Sequence, residues 1–261
     1  MARRTPLPFT PPLLAEGFPL EGCTVKSARR TLEIFEYFSE RQQPASVLDI
    51  AGDLGYPPSS TSVLLRSLLA LGYLEYDRQS RLYVPSIRIS LLGGWVHDDI
   101  FRDGNLLSLT HELRRKTGQS IILGLQNGIF AHYILHLDSQ APLRPHARTG
   151  SLRPICRAAI GRALLTTKDD AEIAGILRRS NARESEPANR LTPASLLAEI
   201  ALCRRRGYAY TEGTVTPRRG VIARLLPTAD GHMPMAIGVG APIAYLRANK
   251  TKIVKLLREK L

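Results

Sequence analysis

The stretch YPPSSTSVLLRSLLALGYL, residues 56–74, constrains this chain's fold more than any other. Two prolines followed by Ser59 and Ser60 make a strong helix start, and Gly72 makes a stop. In between, Thr61, Leu64, Leu65 and Leu68 recur at the spacing of one buried helical face. Ser59, Ser62, Val63 and Arg66 are left pointing elsewhere. Upstream, VKSARRTLEIFEYFSER carries Ala28, Leu32, Phe35 and Phe38 at helical spacing, which predicts an amphipathic helix. SVLDIAGDLG predicts a second, with Ser46 as N-cap, Ile50 and Leu54 on one face and Gly55 as stop. Downstream, YLEYDRQSRLYVP reads as two short strands, Tyr73 to Tyr76 and Arg81 to Val84, around a polar turn. Three helices and a hairpin in that order predict a winged helix-turn-helix over residues 25–85. The third helix would present small hydroxyl residues to a major groove, with a helix N-terminus suited to phosphate.

The bulk charge agrees with a polyanionic partner. A net charge of +13 and a pI near 10.1 favour nucleic acid or an anionic surface. Lys26, Arg29, Arg30, Arg66, Arg78 and Arg81 flank the first three helices, which favours DNA over a face used only for assembly. Residues 1–24 are proline-rich and read as a flexible arm, either a leader without function or a basic arm that takes Arg3 and Arg4 to a groove. Cys23, Cys156 and Cys203 show no disulfide or zinc-ligand spacing. No apolar run reaches the roughly 18 to 20 residues of a membrane span, so the expectation is a soluble, cytoplasmic protein with reduced thiols and no membrane partner.

Beyond Pro85 a linker helix is expected at 86–105, with Ile87, Ile89, Leu91, Leu92 and Trp95 as the seam of a homodimer or tetramer, Trp95 having an intramolecular core role as its alternative. Residues 106–261 then mix strands and capped helices. SIILGLQNGIFAHYILHLD reads as a hairpin joined by Asn127-Gly128. Thr167, followed by Asp169 and Asp170, is expected to cap a helix through Ile173, Ile176 and Leu177. Thr192 and Pro193 begin another that stops at Gly207. GVIARLLP and MPMAIGVGAP read as strands and NKTKIVKLLREKL as a closing helix. The fold class expected is therefore α+β.

These residues carry a family likeness. VKSARRTLEIFEYF, DIAGDLGYPPSSTSVLLRSLLALGYL, LRRKTGQSI, GSLRPICRAAIGRALL, LTPASLLAEIALCRRRGYA, GVIARLLP and GVGAP resemble, in order, the motifs of the isocitrate lyase regulator (IclR) family of bacterial transcription factors. The likeness covers about residues 25–245. It implies a winged helix-turn-helix that binds a double-stranded DNA operator, a linker helix that pairs subunits, and a GAF-like domain that binds a small organic effector. The expected DNA-binding residues are Ser27, Arg29, Arg30, Ser59, Ser60, Ser62, Val63, Arg66, Arg78 and Arg81. The expected effector residues are Leu123, Tyr133, Leu135, Ile155, Cys156, Gly161, Ala223, Leu225, Gly238 and Gly240. Departures from the family pattern matter: Pro58, Ser62 and Val63 replace its Lys, His and Arg, while Cys156, Arg162, Thr216, Ala223, Gly238 and Gly240 replace polar pocket positions. A different operator and a less polar, roomier pocket follow, with an aromatic or similarly hydrophobic organic acid held at the helix N-terminus after GSLRPI.

Enzyme signatures are weak. His132 and His136 would share a metal only on a helix, whereas in a strand four residues span roughly 13 Å. Cys156 with His146 lacks an orienting third residue, and GGW and GVGAPI lack the context of a dinucleotide loop. No cofactor, metal or catalysis is expected. The competing possibility is a GAF-like sensor or enzyme whose N-terminal helices serve assembly alone.

Overall fold

A computed structural model describes residues 25–94, 105–140, 148–227 and 233–259. The arm at 1–24, Cys23, Trp95 and His146 lie outside them. The chain divides into two compact units, residues 1–102 and 103–261.

In the first unit, α1 (Lys26–Arg41), α2 (Val47–Leu54) and α3 (Pro58–Ala70) precede the antiparallel strands β1 (Leu74–Asp77) and β2 (Leu82–Pro85). The ends of α2 follow local signals. Ser46 and Asp49 form a reciprocal capping box at the start of α2, and Gly55 closes it at φ 67°, a conformation that costs glycine nothing. Pro57 caps α3 without a side-chain bond. The hydroxyls of Ser60 and Thr61 instead donate back to the Pro57 carbonyl. Ile34, Tyr37, Phe38, Ile50, Leu65, Leu68, Leu74 and Tyr83 make the core. Ala45 pairs with Tyr83 as an isolated bridge, adding a short third edge to the wing. One expectation is corrected: Ala28 and Leu32 lie exposed, and α1 is buried through Ile34, Tyr37 and Phe38. After the wing, α4 covers Arg88–Leu92, and its Ile87, Leu91 and Leu92 neighbourhood is exposed.

The second unit is built on a six-stranded antiparallel sheet ordered β5-β4-β3-β8-β7-β6. Its elements are α5 (Asn105–Thr117), β3 (Ser120–Asn127), β4 (Phe130–Leu137), β5 (Leu152–Pro154), α6 (Ala159–Leu165), α7 (Asp170–Arg183), α8 (Pro193–Arg206), β6 (Ala209–Glu212), β7 (Arg219–Leu225), β8 (Met235–Pro242) and α9 (Ile243–Glu259). α6 lies against one sheet face, with Ile160 beside Gly124 and Gly238. On the other face, Leu246 of α9 approaches Gly220. Asp169, not Thr167, caps α7 through a box with Glu172, while Thr192, Pro193 and Gly207 bound α8 as expected. The β3–β4 turn is shifted by one residue from expectation. Asn127 still pairs with Phe130, so Gly128-Ile129 forms the loop, with Gly128 at φ 57° in the position that needs glycine. The closing helix also begins earlier, at Ile243.

Candidate functional site

The exposed side of α3 gathers Ser59, Ser60, Val63 and Arg66, with Ser62 half-buried among them. Val63 is 55% exposed, a bare apolar patch between hydroxyls and a guanidinium. Arg30 reaches this helix from α1. Its guanidinium lies 4.5 Å from the Tyr56 ring centre and donates to Ser60 Oγ at 3.4 Å. Arg29 is engaged differently, paired with Glu33 at 3.2 Å. Ser27 is exposed at the start of α1. Arg78 and Arg81 stand exposed at the wing tip, where Asp77 accepts from the Gln79 and Ser80 amides. These hydrogen bonds, led by the Ser80 hydroxyl, hold the Asp77 carboxyl below its usual range. Sequence reading passed over Tyr56, which only its stacking on Arg30 reveals, and Arg88, which stacks on Tyr73 at 5.0 Å and donates to Leu71 O. The net charge is not concentrated here, contrary to the argument from flanking residues: residues 25–94 hold eight Lys and Arg against seven Asp and Glu.

In the second unit, a recess open to solvent lies between the sheet, the start of α6 and the β6–β7 loop; about 70 Å³ of it is enclosed, and its 670 Å³ of empty space includes the open mouth. Its apolar walls are Ile122, Ala158, Ala159, Val215 and Val221. Ser120, Tyr133, Thr211, Thr214 and Thr216 add hydroxyls, and His136, Asp138, Arg153 and Arg219 supply the titratable groups. Strand alternation alone would send Tyr133 and His136 to opposite faces. The register instead shifts between Leu123 and Gly124: Tyr133 pairs with Gly124 and His136 with Ile122. The extra residue in β4 rotates both side chains into one cavity. Thr214 ties the overlying loop down by donating to the Arg157 carbonyl at 2.9 Å, and Arg157 is itself paired with Glu184 at 2.8 Å.

Two guanidiniums face one carboxylate, Asp138, in the lining. Burial pushes the His136 imidazole down, against Asp138 at 3.4 Å and with help from Arg219 and Arg153, so His136 is neutral at pH 7. Burial pushes the Tyr133 phenol up to about 12, leaving it a hydrogen-bond donor. Burial also lowers the Arg219 pKa, and no ion pair holds its guanidinium among the described residues. A half-buried cation facing a cavity suits an anion.

Of the expected effector residues, Tyr133 and Gly240 line this cavity. Leu123 and its partner Leu135 point to the opposite sheet face, on the far side of the bulge. Ile155 and Cys156 are buried with Ile173 and Ile176 beneath α7. Gly161 sits against the backbone, where a Cβ would lie 2.1 Å from the Ile155 carbonyl oxygen. The α6 helix is only seven residues long, and Ala158 and Ala159 are the parts of its start that reach the cavity. Gly238 leaves no void, since Ile160 and Val221 occupy the space beside it, and Ala223 and Leu225 pack in the same core. The polar residues missed by sequence reasoning, His136, Arg153 and Arg219, come from three strands with no shared spacing.

Catalytic alternatives find little in the geometry. His132 and His136 lie on one strand, and the described residues hold no cluster of three metal-ligating side chains. Burial pushes the Cys156 thiol up to about 11, far from a reactive thiolate. No described helix is long and apolar enough to cross a membrane.

A winged helix with an exposed recognition helix, followed by a separate cavity-bearing domain, is the layout of a transcriptional regulator. Residues 27–78 match the IclR helix-turn-helix domain, and residues 105–260 match the bacterial transcriptional regulator IclR C-terminal domain. The chain belongs to the IclR family of transcriptional regulators. It is 26% identical to the HTH-type transcriptional regulator XynR of Escherichia coli over 71% of this chain and 73% of that one. Among solved structures, the IclR regulator of Alicyclobacillus acidocaldarius superposes with a TM-score of 0.72 at 20% identity, covering 91% of this chain and 96% of the other. An IclR homologue from Microbacterium hydrocarbonoxydans, solved with 4-hydroxybenzoate, gives 0.68 at 16%, covering 90% of this chain and all of that one. The relatives are named as regulators, not enzymes.

Proposed function

We propose that this regulator releases or engages its operator in response to a small organic acid bound in the second unit, and that it controls a catabolic operon as a homodimer. The observation that carries this is Arg219, half-buried at the cavity wall and in no ion pair among the described residues. A carboxylate there gains charge-assisted hydrogen bonds in a partly desolvated site. Arg153 adds a second positive charge. Tyr133 and the threonines offer partners to a hydroxyl on the ligand, and Ile122, Val215 and Val221 flank its carbon frame. A hydroxylated carboxylic acid, an aromatic one extending into the open mouth, suits this lining, which is more polar than the sequence led us to expect. The 4-hydroxybenzoate complex of the Microbacterium homologue lends support by fold likeness alone.

On the DNA side, α3 would enter the major groove with Ser59, Ser62, Val63 and Arg66, while Arg30 steadies its N-terminus and Arg78 and Arg81 meet backbone from the wing. One such unit makes few contacts, so a two-fold symmetric dimer on a palindromic site is the natural assembly, with exposed Ile87, Leu91 and Leu92 near its seam. The test is a thermal-shift screen of organic acids coupled to a gel shift on the DNA upstream of its own gene. A ligand at 100 times its Kd stabilises by about 2.7 kcal/mol and should alter the shift. Stabilisation by neutral or cationic compounds only would refute the acid assignment.

A further inference from the structure

The positive charge of this protein sits in the unit that does not carry the recognition helix. Residues 105–261 contain 25 Lys and Arg against 11 Asp and Glu, a net +14, whereas residues 25–94 net +1. A sensor of small molecules needs no such excess, and self-repulsion makes it costly to a compact domain.

Part of the excess forms a built surface. Arg204, Arg205 and Arg206 end α8, and three further cations converge on them. Arg258 of α9 donates to the Arg206 carbonyl at 2.9 Å. Arg224 of β7 donates to the Leu257 carbonyl at 3.0 Å, one residue before Arg258. Lys250 lies 4.8 Å from the centre of the Tyr210 ring and 5.9 Å from that of Tyr208, on which Arg206 stacks at 4.6 Å. Arg204 donates to the carbonyls of Thr166 and Lys168 and meets Asp170 at 3.3 Å.

What holds these side chains decides what they are fit for. Arg206, Arg224 and Arg258 are anchored by backbone carbonyls, which are neutral, so each guanidinium is ordered while its charge stays uncompensated. Among the described residues Arg204 is the one of the six in a salt bridge, with Asp170, and Lys250 lies within the field of Glu212. A guanidinium has five donors, so an anchored one keeps others free. Pre-organised cations with free donors match a polyanion whose charges repeat along a line, since little side-chain entropy remains to be lost on binding.

We infer that this face of the effector domain docks the phosphate backbone of duplex DNA flanking the operator, and so supplies much of the sequence-independent affinity that the nearly neutral winged helix lacks. The inference rests on the DNA-binding reading above, and the test separates the two. Binding of the full-length protein is measured across a salt series on a minimal operator duplex and on one extended by flanking sequence at both ends. Each phosphate contacted steepens log K against log salt by about 0.9, so the extended duplex should steepen the slope by about 2 or more, with a longer footprint. Arg205→Glu should remove much of that increment and leave the minimal duplex unaffected. Arg205 is the safe position, because it is exposed and makes no hydrogen bond or ion pair among the described residues. The combined Arg204→Gln, Arg205→Gln, Arg258→Gln variant should abolish the increment. Equal slopes and footprints on the two duplexes would overturn the proposal. So would a variant that binds both duplexes like wild type yet alters transcription, which would assign the face to an acidic protein. If wild type binds neither duplex, the DNA reading itself falls, and this one with it.

Discussion

Replacing Arg219 with Met separates the ligand's needs from the fold's. Arg219 opens β7, and its main chain is fixed independently of its side chain: the amide donates to Thr216 O at 3.2 Å and the carbonyl accepts from Gly213 at 2.7 Å. The guanidinium faces the cavity without an ion pair among the described residues, beside a second cation, Arg153. Removing it takes away like-charge repulsion and a desolvated charge, while the methionine stem keeps the aliphatic packing. The variant without ligand should therefore melt no lower than wild type. Ligand binding should suffer in full. A hydrogen bond to a charged group contributes about 1.5–3 kcal/mol, which at about 1.4 kcal/mol per decade weakens the acid by roughly 10- to 150-fold. Calorimetric titration of the best acid from the screen, alongside melting curves without ligand, measures both quantities. Unchanged affinity would show that Arg219 is not the carboxylate's partner. A variant that melts well below wild type would show a structural role, contradicting the idea of a cation left uncompensated for its ligand.

Three further outcomes follow from particular residues. Arg66→Ala should weaken binding about equally across operators and lower the salt slope by about 1, whereas Ser62→Leu should abolish specific binding with circular dichroism intact; gel shifts at several salt concentrations distinguish them. Burial, reinforced by Glu33, raises the Glu36 carboxyl to about 7, and because a raised carboxyl binds its proton more tightly when folded, the winged helix should lose stability as pH rises from about 4.5 to 7. Urea midpoints against pH should show that loss, and Glu36→Gln should flatten it. Gly161→Ala, which in an ordinary helix interior gains up to about 1 kcal/mol, should here lower the melting temperature, because the new Cβ would fall 2.1 Å from Ile155 O.

Much of the scaffold was legible residue by residue. The box of Ser46 and Asp49, the αL glycines at 55 and 207, and the Thr192-Pro193 start lie within a few residues of the backbone groups they satisfy, so their meaning survives without tertiary context. Less survived for α1. Its apolar residues are plentiful enough to offer more than one stripe, and packing against α2, α3 and the wing chose Ile34, Tyr37 and Phe38 over Ala28 and Leu32.

The order of helices, hairpin and mixed α+β domain was thus determined by the sequence itself, because caps, breakers and apolar periods act over one or two turns. The cavity was decided by tertiary structure. Its charged wall joins β4, β5 and β7, its floor is the start of α6, and one bulged residue in β4 sets whether Tyr133 and His136 share it. A register shift moves every later side chain to the other face, and it depends on how β3 and β4 meet across the sheet, which no window of neighbouring residues contains.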